Sequence, residues 1–224
     1  LALVRVESGN KDGFFRDAIF QILLRRDYGK LTAEERLAYV RLIQIALNRL
    51  GDPAKPILNA IAAKLDASYP ADSFEENWLL TETLAYLQSP NTAAKAIALI
   101  EAAPSQEPQM EYARSIRFLK TGWTSDLRKR QLEWFLKAAN YNGGASFAKF
   151  IEFIRNDSLA TFTLAERKEH AALIAKKPEQ KSAIELSGAI FAGRTPTMWK
   201  LEDLSAAAQN GMKGRDFIQG KKMF

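Results

Sequence analysis

The chain predicts an all-α fold, a HEAT- or armadillo-like α-α superhelix of stacked antiparallel helix pairs with a loosely packed C-terminal tether. Three observations predict it. Apolar residues recur at helical spacing in nearly every segment, and no segment sustains strand alternation. Capping signatures recur where segments begin. Helix pairs start near residues 13, 53, 91 and 124, close to the ~40-residue period of such arrays. The pairs are not alike in sequence, so the repeat is one of structure.

The elements follow in order. In DGFFRDAIFQILLRR, Phe15, Ala18, Ile19 and Ile22 fall at i, i+3, i+4 and i+7 and define one face. Thr32 and Glu35 have the spacing of a reciprocal N-terminal cap for the next helix. That helix carries one stripe of Tyr39, Leu42, Ile43, Ala46 and Leu50 and a second of Leu37, Val40 and Leu47, so it packs on two sides. Gly51, Asp52 and Pro53 end it. Leu58, Ile61, Ala62 and Leu65 mark a third helix; Ser73 with Glu76 repeats the cap before Leu80, Leu84 and Leu87.

NTAAKAIALIEAA and PQMEYARSIRFLK follow, the latter with Tyr112, Ile116 and Leu119. Thr124 or Ser125 caps LRKRQLEWFLKAA, where Leu127, Trp134, Phe135 and Ala138 share a face. Ser146 opens a helix with Phe147, Phe150, Ile151 and Ile154 on one side, and Thr163 with Glu166 caps LAERKEHAALIAKK. These helices form a repeat domain over residues 1–177. Residues 178–224, with Gly193, Pro196, Gly211 and Gly214, read as a tether in which Trp199, Leu201 and Leu204 dock on the last helices.

Composition excludes much chemistry. With no cysteine and one histidine, the chain cannot build Cys/His zinc sites, iron–sulfur clusters or a cysteine nucleophile. His170 lies in a charged helical stretch without a nucleophile motif and reads as a surface residue. No apolar run reaches the roughly 18 residues of a membrane helix, so no insertion by this segment is expected. The net charge of +6 arises beyond residue 100 and is interspersed with acids.

Two stretches invite a functional reading. KTGWTSDLRKRQLEWF combines Trp123, Arg128, Arg130 and Trp134, residue types that hold phosphate and stack on bases. The competing reading makes Trp134 and Phe135 core and turns the basic residues to water, and the shared stripe of Leu127, Trp134 and Phe135 favours it. NYNGGASF places Gly143 and Gly144 before a helix start that could cradle an anion, but no Lys-Ser/Thr signature follows, and a structural turn is the better reading. No acidic pair stands apart from helical surface charge. No catalytic, cofactor-binding or metal site is therefore assigned. Trp123, Arg128, Arg130, Trp199, Phe217 and Phe224 are candidates for docking.

The stretch from LAYLQSPNTAAKAIALIEAA through NYNGGASFAKFIEFIRNDSLATFTLAER, with WKLEDL and GRDFIQGKKMF, resembles the helical segment of large bacterial multidomain proteins described as membrane-bound dehydrogenases or haem-binding proteins. The resemblance implies a HEAT-like segment between a β-propeller dehydrogenase-like domain and a c-type cytochrome domain. Those neighbouring domains of the same polypeptide would be its partners, and its location extracytoplasmic, periplasmic in a bacterium. The family attaches haem through C-x-x-C-H; with no cysteine here, haem c and electron transfer belong to a downstream domain and to no residue of this chain. In that reading Gly214 ends the tether, and Phe217, Met223 and Phe224 lead into the cytochrome. The expected function is a non-catalytic scaffold or spacer; the rivals are a nucleic-acid-binding helical repeat and a carboxylate-based enzyme.

Overall fold

The computed structural model describes residues 13–141, 143–144, 146–178, 200–209, 214 and 216–221. Among these residues every regular element is helical. The elements are α1 (Gly13–Leu24), a 3-10 turn at Tyr28–Lys30, α2 (Ala33–Leu50), α3 (Lys55–Asp66), α4 (Phe74–Tyr86), α5 (Thr92–Ala102), α6 (Gln106–Ser115), α7 (Ser125–Ala138), α8 (Phe147–Ala160), α9 (Leu164–Glu169), α10 (Ala171–Ala175), α11 (Leu201–Gln209) and α12 (Phe217–Lys221). The chain divides into one unit up to Pro178 and a second from Glu179 to Phe224.

In the first unit successive helices pack on one another, α1 on α2, α3 on α4 and α5 on α6. α2, α4 and α6 pack side by side as one row; α1 packs on α3 and α5 on α7 as the other, with α8 and α10 against α7. The odd-numbered row is tied by lysines. Lys64 of α3 donates to Leu24 O at 2.8 Å and to Arg26 O, capping the end of α1. Lys95 of α5 donates to Asp66 O at 2.7 Å and to its carboxylate at 3.0 Å, capping the end of α3. A cation over the free carbonyls of a helix C-terminus satisfies orphan acceptors and opposes the helix dipole.

Two large apolar clusters fill the unit. The first takes Phe20, Val40, Ile43, Ile61, Leu65, Leu80 and Leu84 from α1 to α4. The second takes Ile97, Ile100, Tyr112, Ile116, Leu119, Trp134, Phe135, Ile151 and Ile154. α4 serves both: Leu79, Leu80 and Leu84 face the first cluster, while Phe74, Trp78 and Ala85 face the second. A helix buried on two sides must also satisfy buried polar groups. Asn77 exchanges two hydrogen bonds with the Ala71 backbone, at 2.7 and 2.8 Å. Thr81 and Thr83 donate back to Asn77 O and Leu79 O.

The connection between these clusters is built around two left-handed residues. Gln88 follows α4 at φ 54°, and Gly122 precedes α7 at φ 75°. Gln88 Nε2 donates to Ala85 O and Phe118 O, its Oε1 accepts from Lys120 N, and its carbonyl accepts from Thr121 Oγ1. A Cβ on Gly122 would lie 1.9 Å from Pro90 O, so only glycine allows the two loops to meet.

Several local expectations are corrected. The buried face of α1 is Ile19, Phe20 and Leu23, not the stripe ending at Ile22, which is half exposed: Tyr39 and α3 lie against the Phe20 side. On α8, Ile151 and Ile154 are buried but Phe150 is not. Ser146 occupies the N-cap of α8 without a side-chain cap, because its backbone is not extended. Ser73 accepts from Glu76 N, but Glu76 does not return the bond; its carboxylate turns inward to Tyr28 Oη at 2.8 Å and lies 3.4 Å from Arg36 Nε. The full reciprocal caps are at Thr32/Glu35 and Thr163/Glu166.

The helix expected after Thr163 breaks at His170, which is buried, not surface-exposed, and stands between α9 and α10. Its Nε2 lies 3.4 Å from Ser125 Oγ, on the first turn of α7. Packing against α7 pulls the ring inward and bends the chain there.

In the second unit Asp203 Oδ2 accepts from Lys200 N at 3.1 Å ahead of α11. Asp216 Oδ1 accepts from Ile218 N and Gln219 N and so starts α12. Phe217 is the first residue of α12. Its side chain, and Trp199, Met223 and Phe224 altogether, lie outside the described residues.

Candidate functional site

Thr124 caps α7 by accepting from Leu127 N at 3.2 Å, which aims the first turn toward the segment after α8. Arg128 then points into the protein: it is 1% exposed. Its guanidinium carbon lies 4.0 Å from the centre of the Trp123 ring and 4.1 Å from that of Phe162, so it is held between two aromatic faces. Nε donates to Glu166 Oε1 at 2.9 Å, and the remaining nitrogens reach Gln131 Oε1 and Thr161 O, each at 3.4 Å. Burial pulls the Arg128 pKa down and Glu166 opposes that. The expectation that this arginine faces water, or docks a partner, is thereby corrected: the apolar rings and the carboxylate that neutralise it are supplied by the chain itself.

Arg130 stays at the surface but is engaged. Nε donates to Glu101 Oε1 at 2.7 Å and Nη2 to Oε2, a two-point grip on the end of α5, with Asp126 at 3.5 Å from Nη1. Trp123 donates Nε1 to Leu119 O at 2.8 Å while its face covers Arg128. Trp134 is buried and donates to Gln109 Oε1 at 3.0 Å. The basic and aromatic stretch thus latches α7 to α5 on one side and to α9 and α10 on the other. It brings Trp123 and Arg128 together and leaves Arg130, two residues further along α7 and so on the opposite side of the helix, bonded elsewhere.

At the other predicted turn, a Cβ on Gly143 would meet the Phe147 ring 2.2 Å away, so this glycine accommodates a close-lying aromatic, as a structural turn requires. Among the described residues no group of three or more His, Asp or Glu is arranged to hold a metal ion. Nor is any described helix long and apolar enough to cross a membrane.

The surface feature that sequence reasoning missed lies on the even-numbered row. A hollow of about 570 Å³ opens between α2 and α4, lined by Arg41, Gln44, Leu47, Asn48, Glu82 and Tyr86 among others. A second, of about 270 Å³, lies between α4 and α6 and includes Gln88, Arg114, Arg117 and Phe118. Glu82 and Tyr86 line both and form the ridge between them. Gln44 braces the first hollow: its Nε2 donates to Thr83 Oγ1 at 3.0 Å and Glu82 Oε2 at 3.2 Å. Tyr86, 58% exposed, is fixed through its hydroxyl, which donates to Asp52 Oδ1 at 2.8 Å. The signal available in the sequence was slight: Gln44 and Thr83 are polar residues set inside apolar runs.

Fold and site together define a class, an all-α array of stacked helix pairs whose internal polar groups tie neighbouring helices and whose even-numbered row presents a grooved surface. Comparison of the chain with known protein families, with curated proteins and with solved structures finds no match.

Proposed function

We propose that the chain is a non-catalytic helical-repeat scaffold that holds neighbouring domains of a larger extracytoplasmic redox protein, a dehydrogenase-like β-propeller on one side and a c-type cytochrome on the other. The observation that carries the scaffold reading is where the reactive-looking side chains are spent. Arg128, Glu166, Gln88, Gln109 and Glu76 each bond to an element other than their own. Such investment stiffens an array of pairs, and stiffness is what a spacer requires. The redox setting rests on the sequence resemblance alone, and within it haem c belongs to the neighbour.

The nucleic-acid reading loses its main support, since Arg128 is enclosed and Arg130 is bonded to acids. Expression of the parent gene with its downstream sequence, followed by a pyridine haemochrome assay, tests the proposal. Covalent haem on a C-x-x-C-H shortly after Phe224, with electron transfer that falls when the helical segment is replaced by a flexible linker, is the expected result. A continuation without that motif, or transfer unaffected by the linker, overturns it.

A further inference from the structure

We propose that the hollow between α2 and α4 is a docking site for an acidic, extended segment of a partner polypeptide, with Arg41 as its anion anchor and the Tyr86 ring as its apolar wall. The hollow's size, about 570 Å³, falls within the roughly 300–1,000 Å³ of binding clefts. Arg41 is exposed and donates Nη1 to Gln44 Oε1 at 2.8 Å, but among the described residues no carboxylate stands within ion-pair distance of it. Glu82, the acid in the same lining, is turned to Gln44 Nε2 and to Arg114 Nη2 at 3.7 Å. An unpaired guanidinium fixed by a neutral amide is a ready fork for a carboxylate.

The rest of the lining suits a polypeptide. Leu47 gives a buried apolar floor and Tyr86 a ring already fixed by Asp52, so little side-chain freedom is lost on binding. The Asn48 amide is exposed with no partner among the described residues and can pair with a peptide main chain. The Glu82–Tyr86 ridge leads into the second hollow, whose Phe118 is 53% exposed, so an extended chain crossing the ridge meets an aromatic side chain in each. A phosphate backbone fits less well. Arg114 and Arg117 are already paired with Glu82, Glu111 and Asp157, so among the described residues lining the two hollows Arg41 is the one guanidinium without a carboxylate, whereas a nucleic-acid strand presents a phosphate at every nucleotide. This inference does not depend on the redox setting proposed above.

The test uses the full 224-residue chain and two fluorescein-labelled dodecapeptides, one alternating Asp/Glu with Leu/Phe and one with Lys in place of every acid, followed by fluorescence anisotropy at low salt. The acidic peptide is expected to bind and the lysine peptide not to. Arg41→Glu should weaken binding at least about tenfold, Arg41→Lys less, and Tyr86→Ala by about tenfold. Both positions are at the surface, and circular dichroism verifies that each variant is folded. Equal binding of the two peptides, no binding of either, or an unchanged affinity in Arg41→Glu overturns the proposal. So does displacement of the peptide by an equal concentration of single-stranded oligonucleotide, or an acetylated Asp amide that binds as tightly as the dodecapeptide.

Discussion

Arg128 and Glu166 stand 38 residues apart and meet at 2.9 Å. The same carboxylate closes the cap at Thr163, accepting from the Thr163 backbone at 2.7 Å. One acid therefore starts α9 and neutralises the cation buried under it. Replacing Arg128 by Ala empties the space between two rings and leaves Glu166 unpaired, at a cost of about 3 kcal/mol. Arg128→Met keeps the packing and should cost less. Urea unfolding of the two variants measures the difference; a Met variant as stable as the parent protein would contradict the cation's role, and equal losses in the two variants would contradict the role of the packing between the rings.

Acid should act through the same pair. Burial pushes the Glu166 carboxyl up, but hydrogen bonds from Thr163 and Arg128 outweigh it and hold the group below its ordinary value of 4.5. A depressed folded pKa means stability that is fully present above 4.5 and lost as pH falls through the folded value. Glu166→Gln should lower stability at pH 7 and make the loss between pH 5 and 2 shallower, as read from urea midpoints across that range.

On the alkaline side the tyrosines dominate. Burial pushes the Tyr39 phenol up to about 12, and burial with the bond to Glu76 raises Tyr28 beyond that. The folded state keeps these protons after the unfolded chain has lost them. Stability is therefore intact below pH 10 and declines as pH rises from 10 toward 12. Tyr39→Phe removes one titrating group and should flatten that decline, while losing the bond to Leu23 O at neutral pH.

The left-handed glycines separate strain from collision. Gly51 and Gly122 have φ of 78° and 75°, but a Cβ at Gly51 meets nothing within 4 Å. Gly51→Ala should cost about 1 to 2 kcal/mol from backbone conformation alone. Gly122→Ala adds a collision with Pro90 O and should cost at least about twice as much. Thermal melts of the two variants side by side provide the comparison.

Caps give a parallel contrast. Thr124→Ala removes the acceptor for Leu127 N and should cost about 1 kcal/mol. Ser146→Ala removes a hydroxyl that caps nothing, and should stay within about 0.5 kcal/mol. Chemical denaturation distinguishes these values.

Helix order was legible because its signals are local. A cap, a period and a glycine stop lie within one segment, and the pairs expected near residues 13, 53, 91 and 124 begin at Gly13, Lys55, Thr92 and Ser125. What escaped depends on partners far along the chain. Lys129 and Arg130 look like Arg128 in sequence, and only Phe162 and Glu166 make one of the three internal. A clue was present: Arg128 shares the face of Gln131 and Phe135, three and seven positions on. His170 was misread for the same reason, since Ser125 lies 45 residues before it. The hollow beside Tyr86 is made by the spacing of two helices and has no signature in either.

The two-sided burial of α4 bears on how the first unit comes apart. In a helical array each pair touches only its neighbours, and the ends can unravel while the middle stays folded. Here Leu80 and Leu84 belong to one apolar cluster and Phe74 and Trp78 to the other, on a helix of 13 residues. Fraying from either end must stop at α4 or take both clusters at once. Melting is thereby cooperative, and a single residue inserted near the middle of α4 would rotate everything after it by about 100°, taking Leu84 and Ala85, one from each cluster, out of register together.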